Sequence, residues 1–311
     1  MEILAEGVAL LRQRVESVTM SIVKYKVIWF SVSGVMVLSS LVLLAMFGLR
    51  LGIDFTGGSI LEVEFDTYDP VVGDVRGALS AAGFEEGIVQ PVDEHGIIVR
   101  QKTLSEEKHQ ALLDVLGTFG TFEEKRFDSI GPIIGNELKR KSVWALLLIF
   151  VTIAAYVAFA FRKVSHYVKS WKYGVITIVA ALHDVLIPIG VFALIGHVLH
   201  VEVGTAFVAA LLTILGYSVN DTIVVFDRIR ENLIRESGSI EEIVDQSVTQ
   251  TFARSINTTL TTLLALVAVF FFGGETTRMF VLALMIGIGV GAYSSIFLAS
   301  PLLVVWESRR N

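Results

Sequence analysis

Six long apolar stretches decide what this chain can fold into. A helix needs about 20 mostly apolar residues to cross the hydrocarbon core of a bilayer. The stretches reach or approach that length, and they cover residues 27–49, 143–161, 173–195, 203–226, 256–272 and 279–306. Hydrophobic residues make up 53% of the chain and charged residues only 18%, which excludes an ordinary soluble enzyme. The sequence therefore predicts an α-helical membrane protein with six transmembrane helices, the last five forming a bundle over 142–306.

The distribution of Lys and Arg predicts which loops face the cytoplasm. The N-terminal segment 1–26, residues 162–172, the loop 227–255 and the tail 307–311 together hold 14 of the 25 basic residues. The short loops on the opposite side contain only Arg278. Because short cytoplasmic loops carry the positive excess, we expect both termini in the cytoplasm. The first stretch is too long for a signal peptide and is expected to be a retained anchor.

The loop 227–255 carries two amphipathic pieces. Ile229 and Leu233 share one side of the first piece, and Ser239 with Glu242 forms a capping box at the start of the second. We expect both pieces to lie along the membrane surface. A docking surface for a cytosolic partner is the alternative.

Residues 50–141 form one polar insert on the extracytoplasmic side, long enough for a domain of its own. Capping signals at Asp69-Pro70 and at Thr103 with Glu106 predict two helices, and residues 93–96 predict a hairpin turn. The predicted order is βαββαβ, which is typical of an α+β ferredoxin-like domain. Its 17 acidic residues against 10 basic ones argue against anionic lipid or phosphate as its ligand.

The sequence lacks the motifs of several kinds of site. It has no cysteine and no Gly-Lys pair, so it contains neither a thiolate metal site nor a Walker A loop. No histidine is followed by glutamate, and no G-x-S-x-G motif occurs. We expect no metal, no cofactor and no enzyme activity. The formal net charge of −6 also argues against a nucleic-acid partner.

Asp221 is the most informative residue inside an apolar stretch. A charge at the centre of a membrane helix costs about 2.5–3.5 kcal/mol on insertion scales and is retained for a reason. Ser218, Asp221 and Thr222 share one helix face, which predicts a polar stripe toward the interior, with Asn220 beside it. Arg254 is the nearest opposite charge if the fourth and fifth helices are neighbours. We expect Asp221 and Arg254 to pair and, on separation, to let Asp221 take up a proton. A structural lock between two helices is the alternative.

His183 and Asp184 form a second polar pair, halfway along the third stretch. A proton relay and a hydrogen-bonded contact to a neighbouring helix explain this pair equally well. Both interpretations stay open at the level of sequence.

Small residues in the sixth stretch predict close helix packing. Gly287, Gly291 and Ser295 recur every four residues, which is typical of small-xxx-small contacts between membrane helices. We expect packing rather than chemistry from these residues.

Three segments resemble one known family. They are Gly52-Ile53-Asp54-Phe55-Thr56-Gly57-Gly58, the run from Gly216 to Asn232, and Gln250-Thr251-Phe252-Ala253-Arg254-Ser255. On these motifs the chain, over nearly its whole length, resembles the SecD/SecF family of bacterial protein-export membrane proteins, part of the resistance-nodulation-division superfamily. Asp54, Gly57 and Gly58 are its signature residues here. Gly57 and Gly58 are expected to form a hinge, because glycine adopts positive φ freely.

The resemblance implies a function and a set of partners. It implies half of a twelve-span transporter in the bacterial inner membrane, with a separate SecD chain supplying the other half and with the SecYEG channel as the associated translocon. Proton flow would then promote late-stage export of an unfolded polypeptide, and Asp221 and Arg254 would take part in proton passage.

Two other functions remain as alternatives at this point. One is a scaffold that stabilises the translocon without conducting protons, since an Asp–Arg pair is also a good structural lock. The other is half of a proton-driven exporter of small molecules or lipids from the same superfamily.

Overall fold

The computed structural model describes residues 21–66, 71–84, 87–92, 95–164 and 168–308. The predicted helix start at Asp69-Pro70 and the first half of the predicted turn at 93–96 lie outside the described residues. Most of segment 1–26 and the end of the tail 307–311 also lie outside them.

The helices and strands follow one another as two compact units of one chain. The α-helices are α1 (Lys26–Phe47), α2 (Ile53–Thr56), α3 (Val72–Ala81), α4 (Glu106–Gly117), α5 (Pro132–Ala160), α6 (Ser170–Leu199), α7 (Thr205–Arg235), α8 (Ile240–Phe272), α9 (Glu275–Ser294) and α10 (Ser300–Ser308). The strands are β1 (Gly58–Phe65), β2 (Ile88–Val92), β3 (Gly96–Gln101) and β4 (Phe122–Ile130). Among the described residues, those within Arg50–Trp144 and Glu202–Thr205 form the α+β unit, and the others form the helical unit.

The helical unit is that of a multi-pass membrane protein. Within the described residues, six helices are long and apolar enough to cross a membrane, and they are Val23–Phe47, Pro132–Ala160, Ser170–Leu199, Thr205–Arg235, Ile240–Phe272 and Thr277–Ser308. In the most apolar part of the third, fourth and sixth, 56%, 50% and 61% of the residues are buried, against 11% in each of the others. The interior is therefore built from α6, α7 and the pair α9 and α10. Asp184 and Asp221 lie on these interior helices, as expected where charges must avoid lipid.

The structure differs from the prediction in the loop 227–255. α7 and α8 both extend into this segment as continuous helices instead of separate surface pieces. Ile229 and Leu233, the apolar side of the first predicted piece, are buried together with Asn232. Asn232 Nδ2 donates a hydrogen bond of 2.8 Å to Ser247 Oγ of α8. The apolar side thus continues the buried stripe of α7, and its packing on α8 keeps the helix intact.

The caps of two helices test the predicted start signals. The capping box at α8 is confirmed, because Glu242 N–H donates to Ser239 Oγ at 3.3 Å and Ser239 N–H donates to Glu242 Oε2 at 3.1 Å. The cap of α4 is Ser105, not Thr103 as predicted. The Thr103 hydroxyl instead donates a hydrogen bond of 3.1 Å to the carbonyl of Ile130. Because Thr103 makes this contact, the helix begins two residues later than predicted, with Ser105 as its cap.

The α+β unit is built around one small antiparallel sheet. Its elements follow as β1-α3-β2-β3-α4-β4, the predicted order, and the strands lie side by side as β2-β3-β1-β4. Side chains alternate between the two faces of a strand, so Leu61, Val63 and Phe65 of β1 point into the core. The two helices complete this core with Val75, Leu79, Leu112 and Leu116.

Candidate functional site

A group of buried polar side chains lies inside the helical unit. We call it the interior polar cluster, and it consists of His183 and Asp184 on α6, Ser218, Asp221 and Thr222 on α7, Ser255 on α8, and Ser294 and Ser295 at the end of α9. Each of these side chains is less than a tenth exposed. Buried polar groups in a membrane bundle are expensive unless they are hydrogen-bonded, so their partners decide what the cluster can do.

Asp221 is only half satisfied by hydrogen bonds. Its Oδ1 accepts a hydrogen bond of 2.6 Å from the Ser255 hydroxyl. Its Oδ2 is buried and has no hydrogen-bond partner among the described residues. The carboxyl group is therefore held in place by one oxygen, and the other oxygen is available for a proton.

Arg254 does not form the predicted ion pair with Asp221. In the described part of the chain no Arg254 nitrogen lies within 4.0 Å of an acidic oxygen. The physical reason is helix geometry, because consecutive residues point about 100° apart. Ser255 faces α7, so its neighbour Arg254 is turned aside and is exposed.

Arg254 instead lines a polar cavity between α7 and α8. The cavity has a volume of about 230 Å³, and the carboxylates of Asp227 and Glu231 lie in its wall with Gln250 and Thr251. Asp227 accepts a hydrogen bond of 2.7 Å from Arg230, and Glu231 accepts one of 2.9 Å from Arg228. The guanidinium group thus has two sources of negative charge near it besides Asp221.

Asn220, which the sequence predicts beside the proton path, lies outside the cluster. Its side chain is exposed, whereas Asp221 and Thr222 are buried. The helix turn that brings Asp221 to the interior points Asn220 away from it.

His183 and Asp184 lie together in the cluster. His183 Nδ1 and Asp184 Oδ1 are hydrogen-bonded at 2.9 Å, with Nδ1–H as the donor when Asp184 is a carboxylate. Asp184 Oδ2 accepts hydrogen bonds from the hydroxyls of Ser218 and Ser294, the latter at 2.7 Å. His183 Nε2 is buried without a hydrogen-bond partner among the described residues. Asp184 is thus a fully buried carboxyl group with three donors and no Lys or Arg ion-pair partner in the described chain.

A π turn brings two consecutive serines to the cluster. The predicted single stretch 279–306 changes at Ser295–Ala299 into a π turn, which is wider than an α-helical turn and is often found at functional sites. Ser294 reaches Asp184, while the hydroxyls of Ser295 and Thr222 are hydrogen-bonded at 2.8 Å. The turn thereby connects α6 and α7 through neighbouring residues of one helix.

Gly287 and Gly291 lie where α9 packs on α7. A Cβ atom added to Gly291 would lie 2.8 Å from Ser218 Cβ, and one added to Gly287 would overlap the Ile214 side chain. Since Ser218 also donates to Asp184, the absence of a side chain at Gly291 positions a member of the cluster. Gly289, between them, would meet no atom within 4 Å.

Asp54 lies in the α+β unit and caps a long helix. Its Oδ2 accepts hydrogen bonds from the backbone N–H of Thr205 at 2.6 Å and from the Thr205 hydroxyl at 2.8 Å. Thr205 is the first residue of α7. A carboxylate at this position satisfies a free N–H group and complements the helix dipole.

Gly57 and Gly58 occupy backbone conformations that disfavour other residues. Their φ angles are +74° and +135°. A Cβ atom on Gly57 would lie 2.8 Å from Pro132 Cα, and one on Gly58 would lie 2.9 Å from the Gln101 carbonyl oxygen. The pair therefore makes a tight turn that only glycine fits without strain.

Sequence reasoning missed Ser255 and Ser294, although a signal for Ser255 exists. Four small polar residues recur every four positions along α8 and are all buried, namely Ser247, Thr251, Ser255 and Thr259. Such a stripe predicts the interior face of a helix. No group of three His, Asp or Glu side chains in the described chain is placed to hold a metal ion.

Comparison with known proteins gives consistent matches. The profile of the family "Protein export membrane protein SecD/SecF, C-terminal" matches residues 111–309, and that of the "SecD/SecF GG Motif" matches residues 42–68. The protein translocase subunit SecF of Thermobaculum terrenum is 45% identical over 303 residues, which cover 93% of this chain and 94% of the relative. The SecF subunit of Synechocystis is 40% identical over 273 residues, 84% of each chain.

A solved structure gives the same result for the fold. The crystal structure of SecDF from Thermus, described as a translocon-associated membrane protein, matches with a TM-score of 0.82 and 34% identity. The match covers 94% of this chain and 39% of the SecDF chain, so this chain spans well under half of that protein. With the profile match over most of its length, and with SecF relatives of nearly equal extent, the chain belongs to the SecF family of protein translocase subunits.

Proposed function

We propose that this chain, together with a SecD-type partner, uses the proton motive force to promote late-stage export of unfolded polypeptides through the SecYEG channel. Its relatives are named protein translocase subunits, and the similar SecDF is described as translocon-associated. The proposal adds the energy source and the stage of export. It rests on the geometry around Asp221.

The single observation that carries the proposal is the buried Asp221 carboxyl with one free oxygen and a separated Arg254. A buried carboxylate without a counter-charge costs free energy, and binding a proton removes the charge. Approach of Arg254 would supply the counter-charge and favour release of that proton. The two arrangements differ by the rotation of one long side chain, so proton binding can select between them.

The cavity next to Arg254 supports a second position for the guanidinium group. When Asp221 binds a proton, Asp227 and Glu231 can accept the positive charge of Arg254. When Asp221 loses the proton, Arg254 returns to it. One elementary charge that crosses the membrane potential contributes about 2.3 kcal/mol per 100 mV, which is enough to bias such an equilibrium.

The partner and the topology follow from the same proposal. The match covers 39% of the similar SecDF chain, which supports a SecD-type partner as the source of the complementary part of the assembly. Both termini then lie in the cytoplasm of a bacterium, and the domain 50–141 lies outside its inner membrane. The strand order β2-β3-β1-β4 and the βαββαβ sequence of elements support a ferredoxin-like class for that domain.

Replacing Asp221 tests the proposal directly. In inverted vesicles that contain SecYEG, the SecD-type partner and this chain, we expect Asp221→Asn to abolish the part of translocation that depends on the proton gradient. Asn has the shape of Asp and can still accept from Ser255, but it cannot exchange a proton. Co-purification with the partner checks assembly.

A matched control separates proton coupling from a scaffold. Asp245 lies on α8 and accepts a 2.9 Å hydrogen bond from the Val23 N–H, which an Asn oxygen can also accept. Asp245→Asn should leave gradient dependence unchanged. If Asp221→Asn also leaves it unchanged while the complex assembles, the non-conducting scaffold replaces the proposed function.

A further inference from the structure

We propose that His183 and Asp184 form a second proton-binding station, placed before Asp221 on the path from the extracytoplasmic side. This inference rests on the proposed function of Asp221 as a proton carrier. It assigns a place in the path to a buried pair that the Asp221–Arg254 exchange does not use.

The hydrogen bonds around the pair leave room for one more proton. Asp184 accepts from the Nδ1–H of His183 and from two serine hydroxyls, so its charge is well stabilised by donors. A neutral imidazole that donates from Nδ1 keeps a lone pair on Nε2. His183 Nε2 is buried and has no partner in the described residues. The pair can therefore bind a proton at Nε2 and become an imidazolium–carboxylate ion pair without moving.

The groups packed around His183 do not supply a competing charge. The ring of Tyr293 on α9 is stacked beside that of His183, with 6.2 Å between the ring centres. The Tyr293 hydroxyl donates a hydrogen bond of 3.0 Å to the Trp29 carbonyl of α1. The hydroxyl of Ser33 on α1 donates a hydrogen bond of 3.3 Å to the Tyr293 hydroxyl. The buried carboxyl group that α7 contributes to the interior polar cluster is Asp221. Within the described residues, Asp184 is the acidic group in contact with His183.

The Ser218 hydroxyl links the pair to the helix turn that carries Asp221. Ser218 donates to Asp184 and precedes Asp221 by three residues on the same face of α7. The Ser295 hydroxyl is hydrogen-bonded to the Thr222 hydroxyl at 2.8 Å and donates a hydrogen bond of 3.4 Å to the Ser218 carbonyl, so a second hydroxyl lies at the same helix turn. Each hydroxyl can take up one proton and release its own, so no charge remains on a serine.

The order of these groups along α7 gives the path a direction. Ser218 lies about 4.5 Å closer than Asp221 to the N-terminal end of the helix, at a rise of about 1.5 Å per residue. The Arg254 cavity, lined by Asp227 and Glu231, lies on the C-terminal side of Asp221. In the proposed topology the N-terminal end of α7 faces outward. A proton then binds His183–Asp184 first, moves to Asp221, and leaves through the cavity.

The transfer conserves protons and charge at every step. His183 binds the incoming proton at Nε2 and gives its Nδ1 proton to Asp184, which leaves a neutral imidazole and a neutral acid. Asp184 passes its proton to the Ser218 hydroxyl, and the hydroxyl's own proton moves to Asp221 when the Ser218 side chain rotates toward the next turn of α7. Asp184 is then a carboxylate again and the neutral imidazole carries its proton on Nε2. Tautomer exchange, in which Nε2 releases its proton and Nδ1 takes one up, restores the starting state.

The test uses His183→Gln in the assembled complex. Gln can donate to Asp184 but cannot bind the extra proton. In inverted vesicles with SecYEG and the SecD-type partner, we expect gradient-dependent translocation to fall about 100-fold at near-neutral lumenal pH, the scale typical of a positioned proton-transfer group. The loss should shrink as the lumenal pH is lowered, because Asp221 is then loaded directly. A purely structural role would lower the rate by the same factor at every pH.

Two further variants keep the inference falsifiable if His183→Gln assembles poorly. Ser218→Ala keeps the side chains of His183, Asp184 and Asp221 and removes the hydroxyl between the two stations, so it should give a loss with the same pH dependence. Tyr293→Phe, the control, keeps the ring beside His183 and should not change the pH profile. If Asp221→Asn abolishes coupling while His183→Gln and Ser218→Ala leave the pH profile unchanged, the second station is refuted and the proposed function survives. If Asp221→Asn has no effect, the proposed function itself fails.

Discussion

Asp54 Oδ2 accepts hydrogen bonds from both the backbone N–H and the hydroxyl of Thr205, at 2.6 and 2.8 Å. The signature segment that carries Asp54 therefore caps the helix on which Asp221 lies. A cap satisfies free N–H groups of the first turn, and its negative charge interacts favourably with the helix dipole. A change in the signature segment can thus alter the start of α7 without touching the interior polar cluster.

Replacing Asp54 should destabilise the protein through this cap. We expect Asp54→Ala to cost about 1 kcal/mol, the typical loss for a removed N-terminal cap. Asp54→Asn keeps the acceptor oxygen and should cost less, because it loses only the charge–dipole contribution. Thermal unfolding of the purified complex in detergent measures both. Equal losses for the two variants would contradict the capping role and indicate that the charge alone matters.

Gly57 should tolerate no side chain. Gly57→Ala places a Cβ atom 2.8 Å from Pro132 Cα at a φ of +74°, and we expect a loss of about 1–3 kcal/mol from backbone strain and overlap. Gly73 is the matched control, because it lies in α3 with no atom within 4 Å of an added Cβ. Gly73→Ala should leave stability unchanged or raise it slightly, since alanine favours a helix. The midpoint of thermal unfolding compares the two, and a similar effect at both positions would refute the steric argument.

The sequence predicted the interior face of α7 but not its partners. Ser218, Asp221 and Thr222 share a face by helical periodicity alone, and all three are buried. Whether Ser255 or Arg254 meets that face depends on a rotation of α8 by about 100°, which spacing along the chain does not define. The hydroxyl contact was therefore found only in the structure.

The continuity of the helices was also beyond sequence reasoning. Charged residues from Asp227 onward suggested that the fourth span ends at the membrane, although the helix continues to Arg235. Helix length there is set by tertiary packing of Ile229 and Leu233 rather than by polarity. The π turn after Ser294 has no sequence signal of its own, because it depends on contacts with neighbouring helices.

Gly291 should be more sensitive to substitution than its neighbour Gly289. An added Cβ at Gly291 would lie 2.8 Å from Ser218 Cβ, whereas one at Gly289 meets nothing within 4 Å. We expect Gly291→Ala to cost about 1–3 kcal/mol and to weaken gradient-dependent translocation, because it displaces Ser218 from Asp184. Gly289→Ala should affect neither quantity. Thermal unfolding and the vesicle assay measure them, and a harmless Gly291→Ala would mean that α9 and α7 are not closely packed here.

Arg254 and Asp227 should act on translocation as a coupled pair. We propose that the Arg254 guanidinium group moves between Asp221 and the carboxylates of the cavity. Asp227→Asn should then destabilise the position of Arg254 in the cavity. The effect of Asp227→Asn on the translocation rate should disappear when Arg254 is also replaced. We therefore expect the rate effects of Arg254→Gln and Asp227→Asn to be non-additive, with a coupling energy of about 0.5–3 kcal/mol from a double-mutant cycle. Arg254→Lys keeps the charge but loses the planar fork, so it should restore part of the rate that Arg254→Gln removes. Gradient-dependent translocation in vesicles measures all four variants, with assembly checked by co-purification. Effects that add within about 0.5 kcal/mol would show that Arg254 does not use the cavity as its second position.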